Sequence, residues 1–209
     1  MDSVPVIPTA LSIAGSDPSG GAGIQADLKT FHQHKVYGMA VITLLTAQNT
    51  CGVQDVYVMK PAQVIRQLEA VLADISPQAA KTGALGDEKV LRAVAGCAKK
   101  FRFPLVVDPV MVSKHGAPLL RASAIRVFIK ELLPCAALVT PNLCEAEALS
   151  GIKVRDPESG SRENAIAFQY GIRGFPSFFL HPPQPAGAVQ FPTGVTPERF
   201  VEFFKQVLE

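Results

Sequence analysis

A short apolar run, Ala10 to Ala14, stops at Gly15 and gives way to a polar, glycine-dense loop that feeds an amphipathic segment. In that segment Ile24, Leu28 and Phe31 recur at i, i+4 and i+7, one face of a helix. Strand, glycine loop and helix in this order commit the first thirty residues to a β-strand that hands over to a helix. Backbone N–H groups are expected to point out of such a loop, which makes it a common binding device. Gly20, Gly21 and Gly23 would let the backbone approach a ligand with no Cβ in the way. As a bare pattern, the same arrangement also describes an ordinary turn.

The alternation continues to about residue 150. Met39 to Leu45 is an apolar, β-branched run that predicts a strand buried on both faces. Pro61 stands at a helix start, with Val64, Leu68, Val71 and Leu72 on one face. Residues 79–83 read as a short strand, and Asp87 opens a helix carrying Val90, Leu91 and Val94. Leu105 to Val112 is strand-like until Pro109 interrupts it. Ser123 to Leu133 reads as helix, Ala136 to Thr140 as strand, and Asn142 as the cap of a helix reaching Leu149. Such alternation predicts an α/β fold, a parallel sheet in a three-layer arrangement with helices on both faces. Ligands of such sheets gather beyond the carboxyl ends of the strands.

Charge and cysteine usage narrow the function classes. A net charge of +2 and scattered basic residues leave no nucleic-acid footprint. The four cysteines are far apart, with no C-x-x-C and no metal spacing, which predicts reduced thiols in a cytoplasmic protein. The N-terminus lacks a basic n-region and reads as the lead-in to a first strand, and no run approaches the length of a membrane span.

Seven blocks sharpen this reading. Gly15-Ser16-Asp17-Pro18-Ser19-Gly20-Gly21-Ala22-Gly23-Ile24-Gln25-Ala26-Asp27-Leu28-Lys29 resembles the opening signature of hydroxymethylpyrimidine/phosphomethylpyrimidine kinases, of the ribokinase-like superfamily. The resemblance continues through Val41-Ile42-Thr43, Ala47-Gln48-Asn49-Thr50 and Gly52-Val53-Gln54. It goes on through Lys81-Thr82-Gly83-Ala84-Leu85, Val106-Val107-Asp108-Pro109-Val110-Met111 and Thr140-Pro141-Asn142-Leu143-Cys144-Glu145-Ala146. It covers residues 8–156.

What the resemblance implies is phosphorylation of hydroxymethylpyrimidine and its monophosphate by ATP with Mg²⁺, a step of thiamine synthesis. By motif, Asp27 and Gln48 would hydrogen-bond the pyrimidine, with Ala22, Gly23, Ala84 and Val110 shaping a flat pocket. An amide such as Gln48 both donates and accepts, which suits an aminopyrimidine edge. Asp108 and Thr140 would sit near the phosphates, with Lys114 and His115 in a loop that could reach one. Asn142 and Glu145 would face Mg²⁺, as oxygen ligands suited to a hard cation, although Asn142 is equally suited to plain helix capping. Members often have methionine at the position of Ala84. The smaller residue leaves room that keeps vitamin B6 kinases as an alternative. Pairing into a homodimer is a further expectation of the resemblance. No catalytic residue is assigned.

After residue 156 the composition changes: nine of the fifteen aromatic residues lie between Phe168 and Phe204. The Gly-Thr-Gly-Cys-like segment expected near the nucleotide does not occur there, which predicts impaired transfer. Instead, Ala167 to Leu180 and Thr193 to Phe204 resemble the second half of a thioredoxin or disulfide-isomerase domain, with Pro176 at that fold's cis-proline position. Two segments are therefore expected: a truncated ribokinase-like part, 1–156, and a thioredoxin-like piece, 157–209, docked on the open edge of the same sheet. Three function classes follow: an active kinase, a non-catalytic pyrimidine-binding protein and a chimeric scaffold.

Overall fold

The computed structural model describes residues 7–111, 122–141, 145, 148–149 and 179–180. β1 (Thr9–Ser16) leads through the glycine loop into α1 (Gly23–Gln33), and the chain returns as β2 (Tyr37–Asn49). β3 (Gly52–Val58) folds back on β2, and α2 (Pro61–Asp74), β4 (Ala79–Thr82), α3 (Glu88–Ala98) and β5 (Leu105–Val107) follow. α4 (Ala122–Val127) runs into a π-helical turn, Phe128–Leu132, and a 3-10 turn, Leu133–Cys135, ahead of β6 (Leu138–Val139). β7 (Phe179–Leu180) is the last described strand.

The sheet order is β3-β2-β1-β4-β5-β6-β7. β2, β1, β4, β5 and β6 are mutually parallel, and β3 and β7 pair antiparallel at the two edges. The result is a mixed, mostly parallel α/β sheet. Local chemistry explains several boundaries. Pro61 occupies the first turn of α2, where its missing N–H costs nothing. Asp87 caps α3 by accepting the Val90 N–H at 2.9 Å.

One face of the sheet carries Leu11 and Ile13 of β1, Val41 of β2 and Val107 of β5 into the core. α2 and α3 cover it with Val64, Leu68, Val90 and Leu91, all fully buried. Each such side chain contributes about 1.5–3 kcal/mol by leaving water, so this face holds the fold together. The opposite face of β1 and β4 carries Ser12 and Lys81, which meet Asp27 of α1. Among the described residues α1 is the helix on that side, and the chemistry gathers there.

Three expectations need correction. β1 runs on through Gly15 to Ser16 rather than stopping at the glycine. β2 is unevenly buried: Met39, Val41, Thr43 and Leu44 are buried, Ala40 and Ile42 are half-exposed, and Leu45 is 42% exposed. The reason is that β2 outlasts its pairing with β1 at Leu45 and continues as an edge hairpin with β3. β3 itself is an addition to the sequence reading. Its turn is set by Asn49, whose Oδ1 accepts the N–H groups of Cys51 and Gly52 at 2.9 and 3.1 Å.

Asn142 and its capping role lie outside the described residues. Glu145, Ala148 and Leu149 are helical. Apart from β7, which pairs Phe179 with Val139 and Leu180 with Leu138, the thioredoxin-like piece, Pro176 included, also lies outside them. Cys51, Cys97 and Cys135 are free thiols, and burial pushes the latter two above the usual thiol value. No helix among the described residues is long and apolar enough to cross a membrane.

Candidate active site

The glycine loop is organised by one buried carboxylate. Asp17 is 3% exposed, and its Oδ1 accepts the Ser19 N–H at 2.8 Å and the Ser19 hydroxyl at 2.7 Å. Its Oδ2 accepts the N–H groups of Gly21 and Ala22 at 3.1 and 2.9 Å. The Gly20 N–H donates to the Asp17 carbonyl at 2.9 Å. Burial by itself would raise the Asp17 carboxyl, but the bonds from Ser19, Ala22 and Gly21 prevail and hold it below the usual carboxylate value. The expected outward-pointing N–H groups are thus turned inward, because a buried carboxylate needs donors and the loop supplies them. From the first turn of α1, Gln25 completes the anchor. Its Oε1 accepts the Asp17 N–H at 2.9 Å and its Nε2 donates to the Ser16 hydroxyl at 2.6 Å.

Gly23 is needed for loop closure rather than for ligand approach. Its φ is +59°, and a Cβ there would lie 2.2 Å from the Gly15 carbonyl oxygen. Gly83 is needed for close packing: a Cβ there would press within 2.9 Å of the Ala14 Cβ, and both residues line the adjoining cavity.

That cavity, of about 370 Å³, opens beyond the carboxyl ends of β1, β4 and β5. Asp27, Gln48, Ala22, Gly23, Ala84, Val110 and Asp108, drawn from separate sequence blocks, all line it. Thr140 and Glu145 do not; the Thr140 N–H donates to the Val107 carbonyl at 3.0 Å, at the end of β6. Lys114, His115 and Asn142 lie outside the described residues. Residues without a predicted role join the lining: Lys81, Asp17, Ser16 and Thr46. Lys81 stood inside a matched block. The signal it offered was a charged residue in a short strand between Ala80 and Thr82, both buried.

Lys81 is the centre of the polar wall. Its Nζ lies 3.0 and 3.1 Å from the two oxygens of Asp27 and 4.0 Å from Asp108 Oδ2. Ser12, wholly buried, donates to Asp27 Oδ2 at 2.6 Å. Gln48 stands on the β2 hairpin, its Oε1 3.3 Å from the Thr46 hydroxyl, and that hydroxyl also donates to the Ser16 carbonyl at 3.0 Å. The Thr43 hydroxyl donates to the Ala84 carbonyl at 2.6 Å and fixes the loop after β4.

At the other end of the wall Asp108 is pushed up to about 6, chiefly by burial. Lys81 opposes the rise, and the negative charges of Glu145 and Asp27 add to it. Buried Glu145 also accepts the Met111 N–H, at 3.4 Å. The oxygen donors of Asp108 and Glu145 fit a hard cation such as Mg²⁺ chemically. Among the described residues, however, no three His, Cys, Asp or Glu side chains cluster as a metal site.

Comparison with known proteins is consistent with this arrangement. The family model described as phosphomethylpyrimidine kinase matches residues 17–173. The hydroxymethylpyrimidine/phosphomethylpyrimidine kinase of Synechococcus elongatus is 51% identical over 165 residues, 79% of this chain and 63% of the relative. The chain thus spans under two-thirds of that relative's length. The crystal structure of phosphomethylpyrimidine kinase from Clostridium difficile 630 superposes with a TM-score of 0.68 at 45% identity, covering 78% of this chain and 71% of the other. Pyridoxal kinase from Staphylococcus aureus in complex with ADP gives a TM-score of 0.66 at 38% identity, covering 79% of this chain and 59% of the other.

Proposed function

From membership of the phosphomethylpyrimidine kinase family, to which this chain belongs, we propose that the cavity takes 4-amino-5-hydroxymethyl-2-methylpyrimidine and its monophosphate for phosphorylation by ATP. The observation that carries this is the convergence of Asp27, Gln48 and Asp108, from three distant blocks, on one cavity. Asp27 accepts from the exocyclic amine, and Gln48 pairs with the ring edge. Ala14, Gly83, Ala84 and Val110 line the same cavity with small, apolar surface for the ring.

Phosphoryl transfer depends on positioning and charge neutralisation. The hydroxymethyl oxygen bonds to the γ-phosphorus of ATP, the bond to the β-phosphate oxygen breaks so that ADP leaves, and the hydroxyl proton passes to water. Asp108 lies at the phosphate end of the cavity, and Lys81 supplies positive charge between it and Asp27. Glu145 and Asn142, three residues apart in sequence, would hold Mg²⁺ with Asp108 near them, and the ion would supply charge to the phosphates. Thr140 and Lys114 complete this proposal as phosphate contacts. Pairing of two copies and a cytoplasmic location belong to the same proposal.

A second reading has its own support. Ala84 lines the cavity with a small side chain, and pyridoxal kinase is among the structural neighbours, so a vitamin B6 ring is the competing acceptor. The test is incubation of the full chain with ATP, Mg²⁺ and either acceptor, read by mass spectrometry. Hydroxymethylpyrimidine monophosphate that disappears in Asp108→Ala supports the kinase reading, and pyridoxal phosphate supports the second. Acceptor binding without product indicates a non-catalytic binder, and neither binding nor product sinks both kinase readings.

A further inference from the structure

We infer that Lys81 is a positioning residue that sets the acceptor specificity of the cavity, by holding the Asp27 carboxylate so that only Oδ1 is left to receive a ligand donor. A carboxylate oxygen accepts along about two directions. Asp27 Oδ2 has both filled, by the Ser12 hydroxyl at 2.6 Å and Lys81 Nζ at 3.1 Å. Oδ1 has one filled, by Lys81 Nζ at 3.0 Å. The remaining direction belongs to an oxygen of a residue that lines the cavity.

The holders stand on interior strands of the sheet. Ser12 and Lys81 are register partners on the adjacent parallel strands β1 and β4, flanked by Ala40 of β2 and Val106 of β5. Their side chains share a face, and α1 lowers Asp27 onto both. Lys81 therefore holds Asp27: its Nζ reaches both carboxylate oxygens, at 3.0 and 3.1 Å, and that geometry prevents rotation of the carboxyl group. An acceptor held this way selects ligands that present an N–H and penalises those that do not, because an unmet buried partner is costly. Lys81 Nζ meets both oxygens of Asp27, so the inferred role runs through Asp27.

This inference rests on the reading of the cavity as an aminopyrimidine site. The test is calorimetric titration of the full chain with 4-amino-5-hydroxymethyl-2-methylpyrimidine and with its analogue lacking the amino group. Wild type should prefer the amino compound by about 10- to 100-fold, the range for a hydrogen bond to a charged group. In Lys81→Met that preference should collapse to within about threefold. Lys81→Arg should restore part of the preference, and Ser12→Ala should reduce it partially.

Adding Lys81→Met to Asp27→Asn should cost no further preference, which separates positioning from a general structural role. Equal losses for both ligands in Lys81→Met, or an unchanged preference, would overturn the inference and leave the cavity reading standing. If Lys81→Met does not fold, an unaltered preference in both Lys81→Arg and Ser12→Ala overturns it instead. A wild-type chain that binds neither compound overturns the cavity reading and the inference together.

Discussion

Asp17 and Asp108 are two aspartates on the rim of one cavity, and their environments drive them in opposite directions. Asp17 is the more enclosed by solvent exposure, 3% against 34% for the side chain of Asp108. Yet it is Asp17 whose carboxyl is held below the usual value, while that of Asp108 rises to about 6. The difference lies in the partners. Asp17 collects four hydrogen bonds from its own loop, whereas Asp108 has an ammonium at 4.0 Å and two further carboxylates against it. Burial raises the cost of charge, and the supply of donors decides whether that cost is met. One aspartate is thereby a structural pin, and the other carries a raised carboxyl on the cavity wall.

Removing the pin should have the largest effect. Asp17→Ala leaves three loop N–H groups and a hydroxyl without their acceptor, at about 1–3 kcal/mol for each that water does not reach. We expect a loss of at least about 3 kcal/mol in urea unfolding, together with loss of acceptor binding, and a smaller loss for Asp17→Asn, which keeps one acceptor oxygen. A fully stable Asp17→Ala would show that the loop does not depend on this carboxylate.

Gly23→Ala comes next. It places a Cβ against the Gly15 carbonyl at a positive φ, for about 1–2 kcal/mol of backbone strain before any steric shift. The expected outcome is a lowered melting temperature, with acceptor affinity falling as the loop moves away from the cavity. Gly21→Ala, whose Cβ would meet only ordinary contacts, should be milder, and equal melting temperatures would contradict the closure role of Gly23.

The two aspartates also predict opposite pH responses. Asp108 holds its proton more tightly in the fold than in the unfolded chain, so its contribution to stability falls as pH rises from about 4 to about 6. Asp17 holds its proton less tightly, so its contribution is present above about 4 and is lost as pH falls through its folded value. Relative to wild type, Asp108→Asn should therefore gain stability at pH 7 compared with pH 4, measured by denaturant midpoints. No pH-dependent difference would mean that Asp108 is not desolvated in solution.

The smallest effect concerns the strand beneath Lys81. The Thr82 hydroxyl is buried without a hydrogen-bond partner. Thr82→Val keeps the shape and removes an unmet polar group, so we expect a change between neutral and about 1 kcal/mol of stabilisation. A thermal melt checks this, and clear destabilisation would reveal a partner for the hydroxyl.

Much of the fold was legible because its signals are local. Apolar periodicity located α1, α2 and α3, Pro61 and Asp87 marked helix starts, and Pro109 marked the end of β5. β3 was harder to see, since Gln54 and Asp55 make it look like loop, and its pairing with β2 decides that it is a strand. The site was legible in part. Asp27, Gln48 and Asp108 stand in recognisable blocks, but nothing in a linear reading says that Ser12 and Lys81 share a register and a face.

Sequence alone determined the alternation of elements and the family, because those depend on residue type and short-range spacing. Only the tertiary structure decided which groups are satisfied. It turned the loop N–H groups toward Asp17, set Lys81 between Asp27 and Asp108, and made Gly23 a steric necessity. Hydrogen bonds and charge pairs are settled by distances of a few ångströms between residues as far apart as Asp27 and Lys81, and such distances exist only once the sheet has formed.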